Sequence, residues 1–276
     1  MIPCSDERIR QKIGRASSLW LFLDYDGTLA NFAPTPDMIL PDEALIALIT
    51  ALAGRPDIRV TILSGRRLAH IQALLPVPGI AKAGSYGLEM VSEDGTLIHP
   101  LQFETIRPLL DRLKQAWARL LDGRRGFYLE DKGWTLAIHA KNAAEEEAQV
   151  VLEQAQGQAQ TLLDEASYDE ASSHEASSYG YGGNTFRLLG GHRFLECGPH
   201  SANKKQTVER LLASSPWNED TLLIYLGDDD KDEVAFEAIH AHGGLAIGVG
   251  DRMRDSTADC WLPSPQAARQ WLANIP

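Results

Sequence analysis

The sequence predicts an α/β protein: a doubly wound, Rossmann-like parallel-sheet core with an α+β unit inserted into it. Three observations predict this. Short apolar runs at 19–23, 58–63 and 221–226 alternate with stretches of helical period in the first and last thirds of the chain. Each run stops abruptly at polar residues, as strands do when their carboxyl ends carry a site. The middle third breaks the alternation with paired strands and long helices.

Residues 19–23 are too short and too β-prone for a helix, and read as a strand buried on both faces. Asp24 and Asp26 end it, followed by Gly27 and Thr28. After a Pro-rich loop, a helix over 42–52 aligns Leu45, Leu48, Ile49 and Leu52 on one face, with Asp42 as N-cap. A second strand at 58–63 runs into SGRR. A helix at 67–75, a short strand near 80–83 and the segment GSYGLE follow. Strands alternating with helices imply βαβ units and right-handed crossovers.

In the middle, a helix at 104–121 precedes strands at 127–130 and 134–140, joined by a tight turn at 131–133. A helix at 143–163 leads to two strands, TFRLLG and HRFLEC, joined by Gly190 and Gly191. Hairpins with helices make an α+β unit at 101–196, which leaves 1–100 and 197–276 as the core domain. Within the unit, the Ser/Ala/Gly/Tyr-rich stretch 165–184 is too poor in apolar groups to offset its ordering entropy, so a mobile loop is expected. From 203 the alternation resumes: helix 203–213, strand 221–226 ending in GDDDKDE, helix 232–241 and strand 243–250. A short element near Cys260 and a helix at 265–273 close the chain.

A chain of 276 residues can bury a sizeable core. Its formal net charge of −12 argues against nucleic-acid and anionic-membrane partners, and directs any anionic substrate to a locally cationic cleft. Charges at the N-terminus replace a secretory apolar region, and no apolar run is long enough to span a bilayer. Cys4, Cys197 and Cys260 are scattered and form no CxxC pair, so reduced thiols in a cytoplasmic protein are expected, with neither a disulfide nor a zinc site. A monomer or weak dimer is expected.

Two carboxylates as close as Asp24 and Asp26 repel each other unless a cation or a shared proton relieves them. Three further elements carry polar groups: Ser64, Gly65 and Arg66 after the second strand, Lys204 at a helix start, and Asp228, Asp229, Asp232 and Glu233 after the strand at 221–226. Singly, each has an ordinary explanation in a turn, a cap, a surface lysine or an acidic helix start. In this order they resemble the haloacid dehalogenase-like phosphotransferases, whose elements are DxD, a Ser or Thr, a Lys and GDD-x-x-D. That resemblance implies Asp24 as nucleophile and Asp26 as acid and base, its pKa raised by burial and by Asp24. It implies that Ser64 and the Gly65 amide hold a phosphoryl oxygen, and that Lys204 neutralises phosphate and nucleophile. A Mg²⁺ ion is expected among Asp24, the Asp26 backbone carbonyl and Asp228, with Asp229 and Asp232 beside it.

Finer motifs resemble the trehalose-6-phosphate phosphatases. DYDGTLANFAPTPD matches their opening, and LSGR and GDDDKDEVAF follow their pattern, the latter GDD-x-TDE. GSYGLE is similar to their G-x-HG-x-E, LEDKG…AIHAK to E-x-KG…HYR, and ECGPHSANK to E-x-x-P…NKG. The resemblance implies a Mg²⁺-dependent phosphatase acting on a phosphorylated disaccharide such as trehalose 6-phosphate, with the inserted unit as a cap domain for specificity. It implies substrate contacts from Arg66, Tyr86, Glu130, Lys132, His139, Lys141 and Glu196. The departures lie in the specificity elements: Tyr86 replaces His, Ala140-Lys141 replaces Tyr-Arg, and Lys205 replaces Gly. They leave open a related phosphoglycoside, a pseudo-disaccharide phosphate or a general sugar phosphate as substrate.

Overall fold

In the computed structural model, which describes residues 2–32, 39–172, 186–218 and 220–276, the chain divides into two compact units. The first comprises Met1–His99 and Asn203–Pro276, the second Pro100–Ala202. In chain order the first stretch forms β1 (Ile2–Pro3), α1 (Glu7–Arg15), β2 (Ser18–Asp24), α2 (Glu43–Ala53), β3 (Ile58–Leu63), α3 (Leu68–Leu74), β4 (Ala81–Gly84), β5 (Glu89–Val91) and β6 (Leu97–Ile98). The second unit holds α4 (Phe103–Leu121), β7 (Tyr128–Asp131), β8 (Leu136–His139), α5 (Glu145–Ser172), β9 (Phe186–Gly191) and β10 (Phe194–Pro199). The chain then completes the first unit with α6 (Lys204–Ser214), β11 (Thr221–Gly227), α7 (Asp230–Ala241), β12 (Leu245–Val249), β13 (Cys260–Leu262) and α8 (Pro265–Ala273).

The first unit is built on one nine-stranded sheet, ordered β1-β13-β12-β11-β2-β3-β4-β5-β6. Pairing is parallel from β1 to β4 and turns antiparallel at β5 and β6. Alternation along β2 explains why the sheet is covered twice. Leu19, Leu21 and Leu23 pack in one layer with Ile9 and Ile13 of α1, Leu45 and Ile49 of α2, Ile71 of α3 and Leu272 of α8. Trp20 and Phe22 pack in the other with Val208 and Leu211 of α6 and Phe236 and Ile239 of α7. The register sets Asp24 beside Leu63 and Leu23 beside Leu226, so the carboxyl ends of β3, β2 and β11 lie together.

The second unit is a four-stranded antiparallel sheet, ordered β7-β8-β10-β9, packed against α4 and α5. Leu136, Ile138 and Leu195 are buried, as are Leu110, Leu113 and Trp117 of α4 and Val151 and Ala155 of α5. The Trp117 indole N–H donates to the Ala155 carbonyl at 3.0 Å, so the largest core side chain leaves no polar atom unpaired. Strand alternation turns Glu130, Ala137, His139 and Glu196 to the opposite face.

Three expectations are corrected. Cys4 and Cys260 are joined in a disulfide, and Cys197 is free and buried. The reason is tertiary: β1 adds to the sheet edge beside β13, pairing Ile2 with Cys260 across a separation that spacing cannot reveal. Residues 165–172 continue α5 instead of forming a loop, whereas 173–185 lie outside the described residues. Gly190 and Gly191 belong to β9, paired with Leu195 and Phe194, so the turn falls at His192 and Arg193, with Arg193 at φ +55°. Among the described residues, no helix is long and apolar enough to cross a membrane.

Candidate active site

Asp24 ends β2 as a buried carboxylate. The Lys204 ammonium, at the start of α6, donates to its Oδ1 at 2.8 Å and also to Asp232 Oδ1. Asn203 caps α6 by accepting the Lys205 and Gln206 amides, which fixes where Lys204 leaves the helix. Asp232 is fully buried and fully engaged. Its Oδ1 also accepts from the Tyr225 hydroxyl at 2.7 Å, and its Oδ2 accepts the amides of Asp228 and Asp229 at 3.1 and 3.3 Å. Asp232 thus ties the β11 end to Lys204. Asp229 caps α7, its carboxylate accepting the Lys231 amide.

Asp228 comes close because position 27 is glycine. Gly27 adopts φ +85°, and a Cβ there would sit 2.1 Å from Asp228 Oδ2. Thr28 Oγ1 donates to Asp228 Oδ1 at 3.3 Å. Carboxylate oxygens of Asp24, Asp228 and Asp232 lie within 4.8 Å of one another. Burial pushes Asp24 up to about 7, opposed by Lys204 and reinforced by Asp232 and Asp229. Burial likewise raises Asp228 to about 9, with Asp24, Asp232 and Asp229 adding to it. For Lys204, burial disfavours the charge, but Asp232 and Asp24 outweigh it and hold the ammonium well above the ordinary lysine range. Hard oxygen donors, crowded and short of positive charge, fit a divalent cation.

Asp26 points elsewhere. Its carboxylate is gripped by the Arg66 guanidinium, Nε at 2.6 Å and Nη2 at 2.7 Å. Asp26 is thus half-buried and ion-paired with Arg66. Ser64 is buried and its Oγ accepts the Arg66 amide at 3.1 Å. The 3₁₀ turn Ser85–Gly87 is tied to this loop: the Ser85 amide donates to the Arg66 carbonyl and the Tyr86 amide to the Ser64 carbonyl. Tyr86 is buried, with a left-handed backbone at φ 55°, ψ 36°. Asp24, Asp26, Ser64, Gly65, Arg66, Tyr86, Lys204, Asp228, Asp229 and Asp232 therefore gather around the carboxyl ends of β2, β3 and β11.

The remaining candidates lie in the second unit, with Glu130, His139 and Glu196 on one face of its sheet. Lys132 donates to Glu196 at 2.7 Å and lies 3.7 Å from Glu130, which pairs with His139 at 2.8 Å. Lys141 is exposed just past β8, its carbonyl accepting from Arg193. Sequence reasoning missed Tyr225, Thr28, His70 and Lys231. Tyr225 reads as core within an apolar strand, so no local signal marks its hydroxyl. Lys231, a cation amid GDDDKDE, was there to be noticed.

Comparison with known proteins gives a consistent result. The trehalose-phosphatase family model matches residues 22–167 and 184–262. A probable trehalose-phosphate phosphatase of Sinorhizobium fredii is 30% identical over 258 residues, covering 92% of this chain and 86% of the relative. A trehalose-phosphate phosphatase of Mycobacterium avium is 32% identical over 268 residues, covering 92% of this chain but only 61% of the relative. Among solved structures, the C-terminal domain of Candida albicans trehalose-6-phosphate phosphatase shares the fold, with a TM-score of 0.75 at 17% identity over 100% of this chain and 98% of that one.

Proposed function

This chain belongs to the trehalose-phosphatase family, and from that premise we propose that it hydrolyses trehalose 6-phosphate to trehalose and inorganic phosphate. The enzyme class is phosphoric monoester hydrolase. One observation carries the assignment of Asp24: a buried carboxylate at a central strand end, held at 2.8 Å by Lys204.

A phosphomonoester resists attack because its own oxygens repel nucleophiles and its sugar alkoxide leaves poorly. In the proposed mechanism Ser64, the Gly65 amide and Lys204 hold the phosphoryl oxygens. Asp24 attacks phosphorus opposite the sugar oxygen. The P–O bond to the sugar breaks, Asp26 gives that oxygen a proton, and Asp24 carries the phosphoryl group. Asp26 then takes a proton from water as the water attacks phosphorus, which releases phosphate and restores Asp24. Asp24, the Asp26 carbonyl and Asp228, with Asp229 and Asp232, would hold a divalent cation, which we assign as Mg²⁺; when bound it would supply charge neutralisation for the approach of one anion to another.

Sugar contacts are assigned to Glu130, Lys132, His139, Lys141 and Glu196, which makes the second unit the cap and the first the catalytic core. The Tyr86 substitution favours one further substrate class, a related phosphoglycoside or pseudo-disaccharide phosphate. The reading also takes the protein as a cytoplasmic monomer or weak dimer without nucleic-acid or membrane partners. Location has its own check, since the Cys4–Cys260 bridge is a pairing of oxidising compartments. Thiol titration of freshly isolated protein that finds Cys197 alone would count against the cytoplasm.

The decisive experiment measures phosphate release from trehalose 6-phosphate and from a panel of phosphorylated mono- and disaccharides. Asp24→Asn should abolish release while the chain stays folded. Near-native turnover in that variant would remove Asp24 from the role, and indifference to the second sugar would remove the disaccharide substrate.

A further inference from the structure

Tyr86 and Lys231 touch across the end of β2. The sheet order β11-β2-β3-β4 puts Tyr86, after β4, and Lys231, after β11, on opposite sides of the strand that ends in Asp24. The phenol spans that gap. Its far end lies against Gly65, where a Cβ would fall 2.7 Å from Tyr86 Cζ and Oη. The Lys231 ammonium donates to the same hydroxyl at 3.0 Å and sits 5.4 Å from the ring centroid.

The backbone holds the ring there against its own preference. Ser85 and Tyr86 are consecutive non-glycine residues at φ 49° and 55°, a conformation that costs about 1–2 kcal/mol per residue. The turn persists because it is bolted on two sides: the Tyr86 amide to the Ser64 carbonyl, and the Tyr86 carbonyl to the Thr207 hydroxyl of α6 at 3.0 Å. Strain maintained by such ties marks a functional position.

An ammonium only donates, so the Tyr86 oxygen must be the acceptor in this bond. Its proton is then committed to a second acceptor, and among the described residues none takes it. Lys231 also adds positive charge beside the acids at the β2 and β11 ends. A polarised O–H donor beside Gly65 suits an anionic oxygen.

We propose that Tyr86, fixed and polarised by Lys231, donates a hydrogen bond to an oxygen of the substrate's phosphoryl group, with Lys231 as its positioning residue. Tyr86 stands at the His position of the family pattern G-x-HG-x-E, and Lys231 at the Thr position of GDD-x-TDE. The inference rests on the phosphatase reading and deepens it.

The test is calorimetric binding of inorganic phosphate to the full chain in Mg²⁺ buffer, with kcat and KM for trehalose 6-phosphate measured alongside. Loss of one hydrogen bond to a charged group predicts that Tyr86→Phe and Lys231→Met each weaken phosphate about tenfold. The double variant should be no weaker than either single one, and Lys231→Arg should restore most of the affinity. Wild-type affinity in Tyr86→Phe, or additive losses in the double variant, would overturn the proposal. If phosphate binds with this pattern while wild-type protein does not turn over trehalose 6-phosphate, the pair stands and the substrate assignment falls.

Discussion

Arg66 closes on Asp26 through both carboxylate oxygens, and its third nitrogen, Nη1, lies 3.1 Å from His70 Nδ1. The fork occupies the two oxygens through which Asp26 would exchange a proton with the sugar oxygen and the water. Turnover therefore requires Asp26 to be handed from guanidinium to substrate. Asp26→Asn should lower turnover of trehalose 6-phosphate about 10²- to 10⁴-fold. With p-nitrophenyl phosphate, whose leaving group needs no proton, the deficit should shrink sharply. Arg66→Lys keeps a charge and loses the fork, and should show the same leaving-group signature in weaker form. Equal losses on both substrates would take Asp26 out of the acid role.

Lys204 is buried between two carboxylates, so its removal is a stability experiment as well as a catalytic one. Breaking a buried ion pair from one side costs about 3–5 kcal/mol, because the partner charge stays behind. Lys204→Met should show that loss in urea unfolding at neutral pH, together with loss of turnover. Part of the stability should return in acid, where Asp24 and Asp232 take up protons. A variant as stable as wild type would mean that Lys204 does not compensate these acids.

The metal-free protein should lose stability as pH rises. Asp24 moves from the ordinary 3.8 to about 7 and Asp228 to about 9, so across that window the folded state binds more protons than the unfolded chain. The contribution is full below about pH 4 and drains away as pH climbs through the two folded values. Melting temperatures in chelator should fall from pH 5 to pH 9, and Mg²⁺ should raise them most at the alkaline end. Asp228→Asn should flatten the slope. A metal-free melting temperature that climbs over the same range, with a slope untouched by Asp228→Asn, would refute the assignment.

How much of this was legible in sequence depended on whether a signal is local. Apolar runs ending in polar residues set β2, β3 and β11, and the N-cap at Asp42 lies where composition put it. Parallel register then brings strand ends together, so Asp24 and Asp228 could be grouped 204 positions apart without any contact being visible. Long-range pairings with no local signature were not legible. The edge pairing of β1 with β13 joins Cys4 to Cys260, and the Tyr225 hydroxyl is hidden in a run that reads as core. Alternation predicts which face a side chain takes and is silent on its polar partner. That is why sequence points to Arg66 as a substrate contact and is silent on the ion pair it makes with Asp26.

The second unit offers the sharpest contrast between a structural tie and a recognition residue. Glu196 is buried, with Lys132 at 2.7 Å, and Glu130 is shared between Lys132 and His139. Such a cluster on a sheet face would be worth little as exposed ion pairs, but burial of Glu196 makes the Lys132 contact expensive to lose. Lys132→Met should therefore lower the melting temperature whatever its role. Recognition makes a separate demand: KM for trehalose 6-phosphate should rise about tenfold or more, while KM for p-nitrophenyl phosphate, which has no sugar, stays put. Glu196→Gln keeps the shape of the side chain and should give a smaller change of the same kind. Equal changes in KM on both substrates, or none on either, would leave the cluster a tie within the sheet and move sugar recognition away from it.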